Sequence, residues 1–235
     1  MTSMLTMDKD AVLIIIPVYN ESKRVGQVIE SVIDLGFKNI LVVDDGSIDQ
    51  TQKELNKHPV MVLSHIINRG VGAATETGLE FFRRSRQYLL AVTIDGDMQH
   101  SPEDIGHMIS QHMEQNAELT MGNRFLQKSN SIPWTRKLYN LIADIVTSIM
   151  SMSIVRDSQS GFKVWSRQAA VLIHIDQNGY EFCSEVAIKA HQHKLKIIQV
   201  PISVTYNKDV KGKGQNLKEG VKTFFNLIHH FIFKH

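Results

Sequence analysis

A single cysteine, Cys183, stands among 235 residues. An intramolecular disulfide is therefore excluded, the chain suits a reducing compartment, and the thiol reads as a buried, bland one. No Pro/Ser-rich linker, charge block, low-complexity tract or self-similar period divides the sequence. One domain over 1–235 is expected. The net charge is only +2, and a slight excess without clustering excludes a nucleic-acid footprint. Long apolar runs are missing as well: Ala11 to Val18, and Leu141 to Val155 with Asp144 inside it, fall short of the roughly 20 residues that cross a bilayer. Met1 to Asp10 has neither the basic start nor the apolar stretch of a signal peptide. The expectation is a cytoplasmic chain that does not span a membrane.

What is present is an alternation of two periods. Ala11–Ile16, closed by Pro17, and Ile40–Val43, closed by Asp44-Asp45-Gly46, are continuous β-branched or aliphatic runs. Such runs belong to strands buried on both faces, as in parallel sheets. Between them Val25, Val28, Ile29, Val32 and Ile33 recur at helical spacing until Gly36 stops the helix. The alternation continues with a strand near Val60–Ile66, a helix over Val71–Arg86 and a strand at Leu89–Ile94. A helix then opens at Ser101-Pro102, and another strand covers Glu118–Met121. Repeated βα units predict a doubly wound, mostly parallel α/β sheet with its ligand site outside the carboxyl ends of the strands.

The polar motifs fall at those ends. Asp95-Gly96-Asp97-Met98-Gln99 follows the fourth strand. In an extended segment one intervening glycine points both carboxylates to the same side and lets the backbone approach closely. Mg²⁺ takes one or two protein carboxylates and completes its shell with phosphate and water, so this pair suits a metal–diphosphate complex and not a permanent cage. Pro17–Glu21 ends the first strand and Asp44–Ser47 the second, which brings three polar turns to one edge of the sheet.

In order and separation, Ile16-Pro-Val-Tyr-Asn-Glu21, Val43-Asp-Asp-Gly-Ser-Ile-Asp-Gln-Thr51 and Asp95-Gly-Asp-Met-Gln-His-Ser-Pro-Glu-Asp104 resemble the signatures of family 2 glycosyltransferases. Gly122-Asn-Arg-Phe125, Arg136 to Asn140 and Asp157-Ser-Gln-Ser-Gly-Phe162 extend the resemblance from Val12 to about Gly214, toward dolichol-phosphate mannose synthases and related polyprenyl-phosphate glycosyltransferases. The resemblance implies a GT-A fold, with a nucleotide-sugar half over 10–122 and an acceptor half over 123–214. It implies an inverting transfer of a sugar, mannose or glucose first, from a GDP- or UDP-linked donor to a polyprenyl phosphate, with Mg²⁺ or Mn²⁺. Pro17, Tyr19 and Glu21 would line the nucleotide pocket, Asp44 and Asp45 would contact base or ribose, and Asp95, Asp97 and Gln99 would hold metal and diphosphate. Arg124 and Arg136 would face the acceptor phosphate, for which planar guanidinium is suited.

The chain departs from the synthases at Asn140, where they carry Ser, and near the end, where Lys208, Lys211 and Lys213 replace an Arg and a Gly-x-Ser-Lys segment. Lys208 and Lys213 are candidates for the diphosphate. A phosphate acceptor needs no general base, whereas a hydroxyl acceptor does; Glu185 is the candidate base for that second case. A transferase acting on a glycan hydroxyl and a nucleotide-sugar-binding module without turnover are the alternatives.

Two apolar stripes remain. Leu138, Leu141, Ile142, Ile145, Ile149 and Met152 read as a helix face packed on the core. In the amphipathic segment 215–235, Leu217, Val221, Phe224, Phe225, Ile228 and Phe231 beside Lys218 and Lys222 fit either the core or a membrane interface, which would place the protein peripherally on the cytoplasmic face. Gly70-Val-Gly72 lacks the third glycine of a dinucleotide fingerprint and reads as a tight turn. His191, His193, His229 and His230 have no companions at zinc spacing and read as solvated.

Overall fold

Seven strands form one sheet in the order β3-β2-β1-β4-β6-β5-β7. They are β1 Val12–Val18, β2 Ile40–Asp44, β3 Met61–Ser64, β4 Leu90–Thr93, β5 Leu119–Asn123, β6 Lys163–Ser166 and β7 Ile197–Pro201. The helices are α1 Val25–Asp34, α2 Thr51–Leu55, α3 Val71–Arg84, α4 Asp104–Glu114, α5 Trp134–Ser151, α6 Arg167–Leu172 and α7 Phe182–Gln192. This computed structural model describes residues 8–127, 132, 134–152 and 155–205. The segment 215–235, with Lys208, Lys211 and Lys213, lies outside the described residues.

Every named pairing is parallel except those of β6, which runs antiparallel to β4 and to β5. The order reverses between β1 and β4: β2 and β3 extend the sheet on one side, the later strands on the other. Such a switch point opens a crevice outside the carboxyl ends of the two strands.

The continuous runs behave as parallel central strands should. Leu13, Ile15, Leu41 and Val43 face one core layer with Leu79 and Phe82 of α3 and Val186 of α7; Val12, Ile14, Ile16 and Val42 face the other with Val28 and Ile29 of α1 and Met108 of α4. Gly36 takes φ +86° where α1 ends, the left-handed geometry that a helix C-terminus asks of glycine.

Three expectations are corrected. Helix α4 begins at Asp104, three residues beyond Ser101. The carbonyls of Ser101 and Pro102 instead close a lead-in turn on Asp104 N (3.2 Å) and Ile105 N (3.0 Å), while Ser101 N is held by Ser203 O (3.3 Å). β6 escapes a search for apolar runs because it opens on Lys163, a fully buried lysine whose Nζ donates to Ser160 O. The third concerns α5. Leu141 is 56% exposed, Ile149 70% and Met152 94%, so the stripe read as core packing faces outward.

His112 on α4 is buried, with its ring Nδ1 2.8 Å from Thr120 Oγ1 on β5. Burial alone lowers its pKa from 6.5 to about 4. A depressed histidine contributes stability above its unfolded pKa and loses it as pH falls from 6.5 toward 4, because only the unfolded chain takes up the proton there. The expected loss is on the order of 3 kcal/mol across that window. Urea denaturation from pH 7 to pH 4 should therefore fall more steeply for the wild type than for His112→Asn; parallel curves would count against this assignment.

Candidate functional site

The three polar turns meet at the switch point because their backbones are laced together. Asn20 N donates to Ser47 Oγ and Ile48 N to Asn20 Oδ1, both at 2.9 Å. Glu21 N donates to Thr51 Oγ1 at 2.9 Å and Asp45 N to Val18 O at 2.8 Å. Asn20 (φ +55°) and Met98 (φ +61°) both sit in the left-handed region, in the first and third of these turns. Non-glycine residues persist there only when their surroundings over-determine them, and they cluster at functional sites. Gly96 lets the third turn lie on the first, since a Cβ there would come 2.5 Å from Val18 Cγ1.

Pro17 is buried in the last ladder rungs of β1, opposite Val43, while Tyr19 is 40% exposed and Glu21 is buried with its carboxylate 3.1 Å from Arg24 Nη1. Asp44 accepts from Ser47 N (3.0 Å). Asp45 accepts from Arg69 N (2.9 Å) and Gly70 N (2.7 Å), and its Oδ1 lies 2.6 Å from His65 Nδ1; the other ring nitrogen of His65 meets Thr77 Oγ1 at 2.9 Å. Asp45 is 2% exposed. Through these bonds Asp45 holds the 65–70 loop beside the crevice. Gly70 (φ +105°) and Gly72 press against the backbone of Gln177 and Asn178, so the glycine pair is a packing device as well as a turn.

The two carboxylates of the Asp-Gly-Asp motif have opposite environments. Burial alone would raise the Asp95 carboxyl, but the bond from His100 (Nε2 at 3.3 Å) and the fields of His100, Lys163 and Arg124 bring it below the usual range. Asp97 is pushed up, first by burial and then by the negative charge of Asp95, with Glu21 adding to it; the bond from Gln99 N and the field of His100 oppose the rise. Gln99 donates twice to Asp97, from its backbone N at 2.9 Å and its side-chain amide at 2.6 Å. It holds Asp97 in place through its amide nitrogen. Gly161 backs the pair, since a Cβ there would come 2.7 Å from Asp95 Oδ1.

A divalent cation fits this donor set. Mutually repelling, half-buried carboxylates gain when a cation joins them, and two of them leave room for phosphate oxygens. Among the described residues no group of three or more His, Cys, Asp or Glu side chains could hold a metal ion, so a cation between Asp95 and Asp97 would draw its remaining oxygens from a ligand and water.

Arg124 follows β5 directly and is 8% exposed. Asp157, fully buried, takes its backbone N at 2.6 Å, its Nε at 3.1 and 3.0 Å and its Nη2 at 2.5 Å. The field of Arg124 reaches Asp95. Arg136 belongs to the first turns of α5, and its side chain lies outside the described residues, as do Lys208 and Lys213. Glu185 is engaged by the protein itself. Its carboxylate is fully buried on α7, accepts from Asp176 N (3.0 Å) and Gln177 N (2.9 Å) and pairs with Lys189 Nζ at 2.8 Å, so it fastens the 176–177 loop. Cys183 is the bland thiol expected, buried and raised by that burial to about 11.

Sequence reasoning missed His65, His100, Lys163 and Asp157 as partners of the site's acids and arginine. His65 and Lys163 lie in strand or strand-end stretches where no motif marks them. His100 and Asp157 stand inside motifs, but nothing in their spacing ties the first to Asp95 or the second to Arg124.

Among known proteins, the family model described as Glycosyl transferase family 2 matches residues 13–171. A UDP-N-acetylglucosamine–dolichyl-phosphate N-acetylglucosaminyltransferase of Methanococcus voltae is 34% identical over 242 residues, with 92% of this chain and 94% of that protein covered. A polyprenol monophosphomannose synthase of Mycolicibacterium smegmatis is 28% identical, covering 89% and 83%. Glucosyl-3-phosphoglycerate synthase from Mycobacterium tuberculosis, crystallised with Mn²⁺, UDP and glucosyl-3-phosphoglycerate, superposes with a TM-score of 0.74 at 18% identity over 95% of this chain and 79% of that one. The sheet and its flanking helices are thus those of the GT-A fold.

Proposed function

We propose that this chain, which belongs to glycosyl transferase family 2, moves a sugar from a nucleoside-diphosphate donor to a polyprenyl phosphate with inversion at the sugar carbon. The observation that carries the reading is the pair Asp95 and Asp97 at the switch point, one stabilised as an anion and the other destabilised as one. When bound, Mg²⁺ or Mn²⁺ supplies charge neutralisation for the departing diphosphate, and Asp95 and Asp97 are the residues that would hold it. The turns at Pro17–Glu21 and Asp44–Ser47 receive the nucleotide, and the 65–70 loop, pinned by Asp45, forms its wall. Arg124, fixed by Asp157, offers its guanidinium field to a second anion, the acceptor phosphate.

Two further observations favour a lipid phosphate over a hydroxyl acceptor. A hydroxyl needs a base, and Glu185, the candidate for that duty, is spent on backbone amides. A phosphate is already ionised and attacks without one. The outward apolar face of α5 is also what a lipid surface would cover; no described helix is long and apolar enough to cross a membrane, and peripheral contact is part of this reading. Relatives named for GlcNAc and for mannose support the acceptor class and leave the sugar open.

Thermal unfolding with GDP, UDP and their sugar conjugates, with Mn²⁺ and again with EDTA, tests the donor. A ligand at a hundred times its Kd adds about 2.7 kcal/mol, which in a chain of this size raises the midpoint by about 5–10 °C. A Mn²⁺-dependent rise with one base is expected. That donor, given polyprenyl phosphate, should yield the glycosyl lipid; a bound donor without lipid product would move the acceptor to a hydroxyl or leave a binding module without turnover, and no rise with any nucleotide would overturn the donor site.

A further inference from the structure

Helix α5 is amphipathic with its polar side turned inward. Asn140, Ala143, Asp144, Thr147, Ser148 and Ser151, at i, i+3, i+4, i+7 spacing, are buried or half-buried. Polar groups fasten this side. Thr147 Oγ1 donates to Ser184 Oγ of α7 at 2.9 Å, and Ser148 Oγ accepts from Val155 N at 3.0 Å. Asp144 takes two consecutive amides, Asp157 N on Oδ2 at 2.8 Å and Ser158 N on Oδ1 at 2.7 Å.

Asp144 differs from its neighbours in where its grip leads. Two amides on the two oxygens of one carboxylate fix the orientation of the 157–158 peptide. Asp157 is held there at φ +49°, a conformation that a non-glycine residue keeps only with support. In that pose its carboxylate receives Arg124 through both backbone and guanidinium. The path therefore runs from a helix whose far side is exposed and apolar, through one turn, to the guanidinium whose field reaches Asp95. Burial raises the Asp144 carboxyl, with the Asp157 charge adding to it, and its bonds from Ser158 and Asp157 only partly offset the rise.

We infer that Asp144 is a positioning residue for Arg124: by fixing the 157–158 turn it sets where the guanidinium is held, and it ties that placement to α5. The inference rests on the reading of Arg124 as the cation that meets the acceptor phosphate. A merely structural Asp144 would change stability and nothing else.

The test uses the whole chain carrying Asp144→Asn, which keeps one acceptor oxygen and turns an NH₂ toward the other amide. Two readouts are taken. One is KM for polyprenyl phosphate beside the affinity for the Mn²⁺-nucleotide donor. The other is the ¹⁵N–¹H resonance and hydrogen exchange of Arg124 Nε, which needs no turnover. Acceptor KM should rise about tenfold and Nε exchange quicken by about as much, with donor affinity within about twofold. Thr147→Val removes the neighbouring bond to Ser184 and should lower the thermal midpoint while leaving KM and the Nε resonance as in the wild type. An unmoved Arg124 Nε resonance in Asp144→Asn would overturn the inference whatever the activity does, and so would the same shift in Thr147→Val. A wild type that ignores polyprenyl phosphate would sink the acceptor reading alone and leave the resonance to decide the relay. Should Asp144→Asn not fold, Asp144→Glu, which displaces the carboxylate by one methylene, carries both readouts.

Discussion

Replacing Asp97 by Asn is expected to lower turnover on the order of a thousandfold and to abolish the Mn²⁺-dependent part of the nucleotide-induced thermal shift, without destabilising the free protein. The sign of the stability term follows from what perturbs this carboxyl. Burial, Asp95 and Glu21 all oppose its negative charge, and the bonds from Gln99 and the His100 field favour it. An amide of the same shape removes the repulsion and still accepts one of the two bonds from Gln99, and the loss of the other offsets part of that gain. Asp95 is the contrast. Its charge is held by His100, Lys163 and Arg124, so Asp95→Asn should cost stability as well as activity, because it takes a counter-charge away from buried cations. Urea denaturation of the two variants beside a turnover assay separates them. Two variants that lose stability alike would mean that Asp97 is another structural anion, and the metal assignment would fall with it.

How much of this was legible depends on what a periodicity encodes. The strands of the nucleotide half were readable because a parallel strand buried on both faces must be apolar at every position, and Val12–Ile16 and Ile40–Val43 are. The strand-end location of the acids followed from the same alternation. Helix α5 marks the limit. Its stripe was found correctly, but the spacing of apolar residues distinguishes two faces of a helix without saying which one meets the core; here Thr147, Asp144 and Ser148 are inside and Ile145 and Ile149 outside. Lys163 hid β6 because a buried lysine is rare enough that any pattern search reads it as a surface residue. Glu185 illustrates a related limit. A carboxylate in a helix looks the same in sequence whether it serves a substrate or, as here, two loop amides and a lysine.

Removal of the Asp157 carboxylate is the change expected to damage the fold most. Asp157→Ala leaves Arg124 buried without the group that receives its backbone N, Nε and Nη2, and a guanidinium cannot shed its proton to escape. Breaking one side of a buried ion pair costs about 3–5 kcal/mol, and at about 2–4 °C per kcal/mol the thermal midpoint should drop by about 6–20 °C. Arg124→Gln should be milder, because the backbone N of residue 124 still donates to the Asp157 carboxylate and the new amide adds a donor beside it. The two variants should therefore differ in the size of the loss, Asp157→Ala falling further than Arg124→Gln. Urea denaturation at pH 7 reads both. A loss below about 1 kcal/mol in Asp157→Ala, well under the cost of a stranded charge, would mean that Arg124 finds another anion, and the one whose carboxyl already feels its field is Asp95. In that event the surviving protein should bind Mn²⁺ with nucleotide more weakly than the wild type, since Arg124 would then compete with the metal for the same carboxylate.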